Sequence, residues 1–257
     1  MTTASKRDSP RNVIIVGATS GIARPLGRRL AVRGWNLVIT GRDAARLAPL
    51  ADDLRVRGSG TIATLVFDPA DDAAAAGLFA AAAALLGGPI DGVIVGHGTL
   101  PDESGALLDV EQTRGAIDAS FTSAAMVLAA AAQALENRPG AFLAAISSVA
   151  GDRGRQSNYT YGAAKAGLTA YLSGLRNRLH PRGVAVITVK PGIVRTPMTE
   201  GLPAARSPLA ADADTVARDI ERAILRRQAV LYTPWFWWPV MTVICAIPEA
   251  IFKRLKL

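Results

Sequence analysis

The sequence predicts an α/β fold in which one doubly wound parallel β-sheet is covered by helices on both faces. Two observations support this prediction. Short apolar runs alternate with longer, often alanine-rich segments along most of the chain. Within the runs, successive residues are apolar, so each strand would be buried on both sides, as in the parallel sheet of an α/β domain.

Six apolar runs are predicted to be the buried strands. They span residues 13–17, 36–40, 64–68, 92–96, 142–147 and 184–189. The segments between them favour helices, since alanine is the best helix former. These helices are predicted at residues 22–33, 43–57, 71–86, 110–136 and 160–180. No repeat or linker divides residues 11–230, which are predicted to form one domain.

The composition limits the classes of partner. The chain carries a formal net charge of +8, and Cys245 is its only cysteine. No intrachain disulfide can form, which favours a reducing, cytoplasmic setting. Because no basic run or aromatic–basic alternation accompanies the charge, nucleic acid is not expected as a partner; a phosphorylated cofactor or an anionic membrane face would fit. Residues 1–10 are polar and are predicted to form a mobile tail.

The first predicted strand leads into a glycine-containing turn, VIIVGATSGIA. Such a turn lets backbone N–H groups approach a pyrophosphate, which the N-terminus of the next helix attracts electrostatically. A dinucleotide-binding, Rossmann-type domain is therefore predicted, although Ala23 replaces the third glycine of the usual fingerprint. The predicted phosphate contacts are Gly17, Thr19, Ser20, Gly21 and Ile22.

The residues at the ends of the second and third predicted strands indicate which dinucleotide the protein binds. A carboxylate at the end of the second strand would bind the ribose 2′-hydroxyl of NAD(H), but Gly41 and Arg42 stand there. A guanidinium suits a 2′-phosphate, so NADP(H) is favoured over NAD(H). Alternatively, Arg42 is simply solvated. Asp68 is predicted either to bind the adenine amino group or to cap the following helix. No metal site is predicted.

Four motifs resemble those of the short-chain dehydrogenase/reductase family. They are the turn GATSGIA, Ser148, the pair Tyr161-x-x-x-Lys165 thirteen residues later, and the segment KPGIVRTPM. They occur in the family's order and spacing over residues 11–200. The resemblance implies NAD(P)(H)-dependent oxidation or reduction at a carbonyl or alcohol, and a homodimer or tetramer. In the last motif it implies cofactor contacts at Pro191, Gly192, Ile193 and Thr196.

Elementary chemistry supports the resemblance. Tyr161 and Lys165 are four residues apart and share a helix face. A free phenol has a pKa near ~10, and a nearby cation lowers it. We therefore expect Lys165 to make Tyr161 a better acid, Ser148 to bind the substrate oxygen, and Lys165 to hold the nicotinamide ribose, as the resemblance implies. Ser147 and Tyr159 are the competing residues for these roles.

Two departures from the family pattern stand out. Ser120 occupies the place where many members have an asparagine that supports a proton-relaying water, so we expect Ser120 to hold that water. After the fourth strand, the family's Asn-Asn-Ala-Gly is replaced by Val-Gly-His-Gly. Gly96 and Gly98 are then expected at the cofactor, and His97 is expected to pack under the adenosine.

The C-terminal extension, predicted at residues 231–257, has no counterpart in a minimal family domain. Residues 235–247 are apolar but too short to span a membrane. Clustered tryptophans followed by Lys253, Arg254 and Lys256 indicate a segment lying on an anionic membrane face, which would make the protein peripheral on the inner face. A lid over the site and a subunit contact are the alternatives.

This ending also resembles one subgroup of the family, the keto-pentose reductase half of the epimerase that makes decaprenyl-phospho-arabinose. That resemblance implies a carbonyl substrate linked to a polyprenyl phosphate and a partner oxidase that makes the ketone. Two other functions remain open at this point. One is reduction of a 3-oxoacyl-carrier or another small ketone, and the other is a dinucleotide-binding scaffold without catalysis.

Overall fold

The computed structural model describes residues 11–103 and 109–255, in which seven strands form one parallel sheet. The sheet order is β3-β2-β1-β4-β5-β6-β9, and β7 and β8 form a separate pair. The strands are β1 Asn12–Val16, β2 Asn36–Gly41, β3 Ile62–Val66, β4 Gly92–Val95, β5 Phe142–Ile146, β6 Ala185–Pro191, β7 Val194–Arg195, β8 Ala211–Asp212 and β9 Val230–Thr233.

Helices cover both faces of the sheet, which confirms the predicted doubly wound Rossmann-type architecture. One layer contains α1, α2 and α7, and the other contains α3, α5 and α6. The helices are α1 Ala23–Val32, α2 Ala44–Arg55, α3 Asp72–Leu86, α4 Val110–Ile117, α5 Ser123–Leu135, α6 Tyr159–Leu179, α7 Ala213–Arg226, α8 Trp237–Ala246 and α9 Glu249–Phe252.

The helix predicted at residues 110–136 is interrupted. A π-helical turn, Asp118–Thr122, lies between α4 and α5. The extra residue in such a turn changes which side chains face inward, and π-turns occur frequently at functional sites. Here the turn buries Ser120. By length and composition alone the stretch Val110–Leu135 could cross a membrane, but half of it is buried in this fold.

Most predicted boundaries lie within one or two residues of the observed ones, and two of the differences have a structural reason. The third strand begins and ends two residues earlier than residues 64–68, because Phe67 packs into the core after the strand has ended. The extension does not begin at residue 231, since β9 pairs with β6 and Thr233 is fully buried. The strand was missed because it has only four residues and follows the polar end of α7 after a short connection. The predicted N-terminal tail and Lys256 lie outside the described residues.

The strand order reverses between β1 and β4: β1, β2 and β3 follow one another towards one edge of the sheet, and β4, β5 and β6 towards the other. In open parallel sheets, the crevice at such a point, beyond the carboxyl ends of the strands, is where ligands bind. The turn after β1 and the residues after β4, β5 and β6 all meet there.

Candidate active site

Two adjoining cavities open at this edge of the sheet. The larger, of about 370 Å³, runs from the glycine turn to the ends of β2 and β3. The smaller, of about 100 Å³, is bounded by Ser148, Tyr161 and Lys165. The cavities form one continuous cleft because five residues line both of them: Ser20, Gly21, His97, Gly98 and Met198.

The glycine turn packs closely against the residues after β4 and after β6. Gly17 has φ +73°, and a Cβ there would lie 2.8 Å from the Cβ of His97. A Cβ on Gly21 would lie 2.6 Å from the Cβ of Thr196, so the segment after β6 crosses directly over the turn. Helix α1 has no acidic residue in its first turn and no side-chain cap from its N-cap residue, Ile22, although Ser20 accepts one hydrogen bond from the N–H of Ala23 at 3.3 Å. Its positive end can therefore attract an anion.

The methyl group of Ala23 is accommodated by a second glycine. The position of a Cβ on Gly96, at the end of β4, would be 3.2 Å from the Cβ of Ala23. Helix α1 and strand β4 can still approach closely here, because the glycine is at the end of β4 and not at residue 23 of the helix. The departure from the usual fingerprint therefore leaves the turn intact.

Arginines and an aspartate line the far end of the larger cavity. Arg42 lies there as predicted, and Arg46, in the first turn of α2, accompanies it. Sequence reasoning missed Arg46, because Arg42 precedes the helix and helical spacing does not relate the two residues. Asp68 also lines the cavity and accepts a hydrogen bond from the N–H of Ala70 at 3.0 Å. The alternative helix-capping role for Asp68 is wrong, because Asp71 caps α3.

The predicted catalytic residues meet in the smaller cavity. Ser148 follows β5, and Tyr161 and Lys165 lie in the first two turns of α6. The Ser148 hydroxyl is close enough to the phenol of Tyr161 to influence its pKa, and it accepts a hydrogen bond from the N–H of Ala150 at 3.0 Å. The ammonium of Lys165 donates to the carbonyl of Ile146 at 2.9 Å.

The electrostatics differ from the sequence expectation. Burial raises the pKa of Tyr161 above its ordinary value of 10.0, and the hydrogen bond from Ser148 opposes that rise. Lys165, whose nitrogen is 5.7 Å from the centre of the Tyr161 ring, is not among the causes. Burial lowers the pKa of Lys165 itself to about 8. In the protein alone, Tyr161 is therefore a neutral proton donor, and the expected acidification by Lys165 is absent.

The competing residues have other positions. The hydroxyl of Ser147 donates to the carbonyl of Lys165 at 2.9 Å and lies 2.8 Å from the hydroxyl of Thr169, so it joins β5 to α6. Tyr159 is 37% exposed and lines neither cavity. Ser147 also lines the smaller cavity, but its hydroxyl is taken up by these bonds, so Ser148 and Tyr161 keep the predicted roles.

Ser120 lies near Lys165, but its hydroxyl forms hydrogen bonds with the backbone of Thr99. Its hydroxyl donates to the carbonyl of Thr99 at 3.0 Å and accepts from the N–H of the same residue at 3.1 Å. A Cβ on Gly98 would lie 3.4 Å from the Lys165 nitrogen and 3.6 Å from the Ser120 oxygen. The glycine leaves space between the two groups, so a bridging water remains a prediction.

His97 is neutral in this site. Burial, aided by the charge of Lys165, lowers its pKa to about 4. Its Nε2 lies 3.0 Å from the hydroxyl of Ser123. At neutral pH the ring therefore packs between the glycine turn and the π-helical turn without a charge.

The segment after β6 supplies most of its predicted contacts. Pro191, Gly192 and Thr196 line the smaller cavity. Ile193 does not, because its side chain packs against the cluster formed by Trp237 and Met241 of α8.

Glu103 is a buried carboxylate that sequence reasoning missed. It accepts hydrogen bonds from the N–H groups of Thr160, at 2.8 Å, and Tyr161, at 3.0 Å. Asn158, the N-cap residue of α6, makes no side-chain cap. Glu103 therefore caps the helix that carries Tyr161 from the loop after β4. A lone acid in a loop has no spacing that could have indicated this role.

Replacing Glu103 by alanine should lower the free energy of unfolding by about 1–2 kcal/mol, the usual value of a helix N-cap. Urea denaturation measures this loss. Glu103→Gln, which keeps one acceptor, should recover part of it. The exposed Glu200 is the matched control, and its replacement by alanine should cost less than ~0.5 kcal/mol. Equal losses for Glu103→Ala and Glu200→Ala would contradict the capping role.

Comparison with known proteins agrees with the fold and the site. The chain is 35% identical to an uncharacterized oxidoreductase of Mycobacterium tuberculosis over 95% of this chain and 96% of that protein. It is 32% identical to sulfoacetaldehyde reductase 2 of Chromohalobacter salexigens over 73% and 74%. A short-chain type dehydrogenase/reductase from Mycobacterium ulcerans superposes with a TM-score of 0.77 at 23% identity, covering 86% of this chain and 87% of that one.

The short chain dehydrogenase family model matches residues 11–207. This match includes the glycine turn, Ser148, Tyr161 and Lys165, which the fold brings to one cleft. Members of the family are oxidoreductases that bind an NAD(P)(H) nucleotide and typically work as oligomers on small molecules. The chain is an NAD(P)-dependent oxidoreductase of the short-chain dehydrogenase/reductase family.

Proposed function

We propose that the protein reduces a carbonyl to a secondary or primary alcohol, with Tyr161 as the proton donor. The observation that carries the proposal is that Ser148, Tyr161 and Lys165 line the same cavity as Ser20 and Gly21 of the glycine turn. The name of the sulfoacetaldehyde reductase relative supports carbonyl reduction as the reaction class. The reverse oxidation uses the same groups.

The residues present fit a nicotinamide dinucleotide. The glycine turn would hold the diphosphate, the residues at the end of β2 would hold the adenosine end, and Lys165 would hold the nicotinamide ribose. When bound in its reduced form, the cofactor supplies a hydride to the carbonyl carbon. The scaffold alternative has little support, because all three catalytic side chains are present and face the cavity.

The proton chemistry belongs to the protein. Ser148 donates a hydrogen bond to the substrate oxygen and stabilises the negative charge that develops there. Tyr161 then transfers its hydroxyl proton to that oxygen. Its raised pKa keeps the phenol protonated at neutral pH, which suits reduction. Lys165, with Ser120 and a water above Gly98, would return a proton to Tyr161.

For the substrate, we propose a ketone carried on a polyprenyl phosphate, a keto-pentose by the resemblance of the C-terminal segment. That segment packs next to the catalytic cavity, since Trp237 lies directly against Gly192, which lines the cavity. The proposal includes a partner oxidase that makes the ketone, a homodimer or tetramer, and a peripheral position on the inner face of the membrane. Turnover of small ketones without turnover of a polyprenyl-phosphoryl ketopentose would remove this narrower assignment.

Tyr161→Phe should lower kcat by about 10²–10⁴-fold, the usual contribution of a general acid, while cofactor affinity changes little. Cofactor-dependent absorbance measures turnover, and quenching of tryptophan fluorescence measures binding. Tyr159→Phe, on the same helix but outside the cleft, is the control and should keep normal turnover. Full activity of Tyr161→Phe would leave the protein without its proposed acid.

Arg42→Ala should weaken NADPH far more than NADH. Losing one charge-assisted hydrogen bond to a 2′-phosphate corresponds to roughly 10–100-fold in kcat/KM for NADPH. The value for NADH should change by less than about threefold. Arg218→Ala, at an exposed position on α7, controls for the lost charge. Parallel losses with both cofactors would contradict NADP(H) preference through Arg42.

The pH dependence of catalysis should show the titration of the Lys165 ammonium. The folded pKa is about 8, below the ordinary 10.5, so the ammonium is lost as the pH rises through about 8. The value of kcat/KM for the cofactor, which reports the free enzyme, should therefore fall above that pH. Stopped-flow or steady-state profiles measure it. A flat profile up to about pH 9.5 would show that the charge of Lys165 is not required.

A further inference from the structure

The C-terminal segment, defined here as residues 234–255, has an inner face that packs against residues next to the catalytic cavity. Trp237 and Met241 pack against Val149, the residue after Ser148. The indole of Trp237 fills the place beside Gly192, where a Cβ would lie 1.9 Å from Nε1. The position of this segment is therefore fixed by the same residues that bound the cavity.

Arg153 anchors the segment in a single orientation. Its guanidinium donates to the carbonyls of Ile244, at 2.7 Å, and Ile247, at 2.6 Å, at the end of α8. It also pairs with Glu249 at 3.0 Å and lies 3.6 Å from the centre of the Phe252 ring. These contacts determine which side of the segment faces outward.

The outer face is apolar and aromatic. Trp235 is 77% exposed and Trp238 is 60% exposed, with Val243 and Ile251 more than half exposed beside them in the sequence. Indoles have an apolar ring and one polar N–H, and they favour the boundary between lipid headgroups and acyl chains. Two exposed tryptophans in four residues therefore indicate a surface that has a partner.

The charge of this face identifies the partner. Lys253 and Arg254 are exposed at its end, whereas the one acid in the segment, Glu249, is paired with Arg153. Exposed cations beside tryptophans complement an anionic lipid surface. A second copy of the chain fits less well, because lysine is depleted from the centres of protein–protein interfaces.

The length of α8 determines how it would lie. Trp237–Ala246 has ten residues, about 15 Å of helix, which is half of the ~30 Å hydrocarbon core. The inner face is buried against Val149 and Gly192. The segment can therefore enter only the boundary of one leaflet, with its axis near the membrane plane.

We infer that the face formed by Trp235, Trp238, Val243, Ile251, Lys253 and Arg254 docks on an anionic membrane. Docking places the catalytic cavity beside the lipid surface, so a lipid-borne carbonyl reaches Tyr161 without crossing bulk water. This inference names the partner of the site and rests on the proposed function only for that consequence.

Co-sedimentation of the full chain with vesicles tests the inference. Phosphatidylcholine vesicles are compared with phosphatidylcholine–phosphatidylglycerol vesicles. The full chain should bind the anionic vesicles at least tenfold more strongly. Trp235→Ser with Trp238→Ser should lower that binding by on the order of tenfold or more. Lys253→Glu with Arg254→Glu should lower it by about fivefold for each charge removed.

Matched controls separate the surface from general effects. Val56→Ser with Val66→Ser removes two exposed apolar side chains elsewhere, and Arg218→Glu with Arg226→Glu makes the same change of net charge on α7. Both should bind vesicles as the unchanged chain does. Circular dichroism and turnover of a small water-soluble ketone should show that the tryptophan variant is folded and active.

Three outcomes would overturn the inference: no binding by the full chain, equal binding to both vesicle types, or equal losses in the control variants. Conversion of a dimer to a monomer by the tryptophan substitutions, without any vesicle binding, would assign the face to a second copy. Vesicle binding without any turnover would instead count against the proposed function and leave the docking surface standing.

Discussion

The site depends on how closely helix α6 is held against the carboxyl end of β5. Ser147 bonds the carbonyl of Lys165, and the Lys165 ammonium returns a bond to the carbonyl of Ile146. Gly151 allows the loop after Ser148 to touch the helix, because a Cβ there would lie 2.6 Å from the backbone of Lys165. This contact brings the Ser148 hydroxyl close to the phenol of Tyr161. It also determines the shape of the cavity and the burial of the titratable groups in it.

Burial governs the charges in this arrangement. The desolvation that makes a dry cavity also raises the pKa of Tyr161 and lowers that of Lys165. With a pKa of about 8, Lys165 is still mostly an ammonium at neutral pH, but burial sets the direction in which the pKa of Tyr161 shifts. The free protein therefore holds Tyr161 ready to donate a proton. The positive charge of an oxidised nicotinamide would be the remaining influence that favours the phenolate.

Much of this was predictable because the residues involved follow local patterns. Apolar runs indicated six of the seven strands in the main sheet, and the spacing of Ser148, Tyr161 and Lys165 indicated the site. Glu103, Arg46 and the π-helical turn were not predicted, because each acts through contacts between distant segments or a local change of helical geometry. Strand β9 was missed for a similar reason: its four residues are recognised as a strand only by their pairing with β6. The rise that burial causes in the pKa of Tyr161 in the free protein was not predicted, because helical spacing gives proximity but not burial.

The account holds that Tyr161 is a neutral, buried phenol until an oxidised cofactor brings positive charge to it. Tyrosinate absorbance, measured as the difference between the unchanged protein and Tyr161→Phe, follows that one group without needing a substrate. In the free protein the difference signal should appear only above the ordinary pKa of 10.0, and saturating NADP⁺ should move it to lower pH. Ionisation of Tyr161 at or below that value in the free protein, or a signal that NADP⁺ leaves unchanged, would contradict the account.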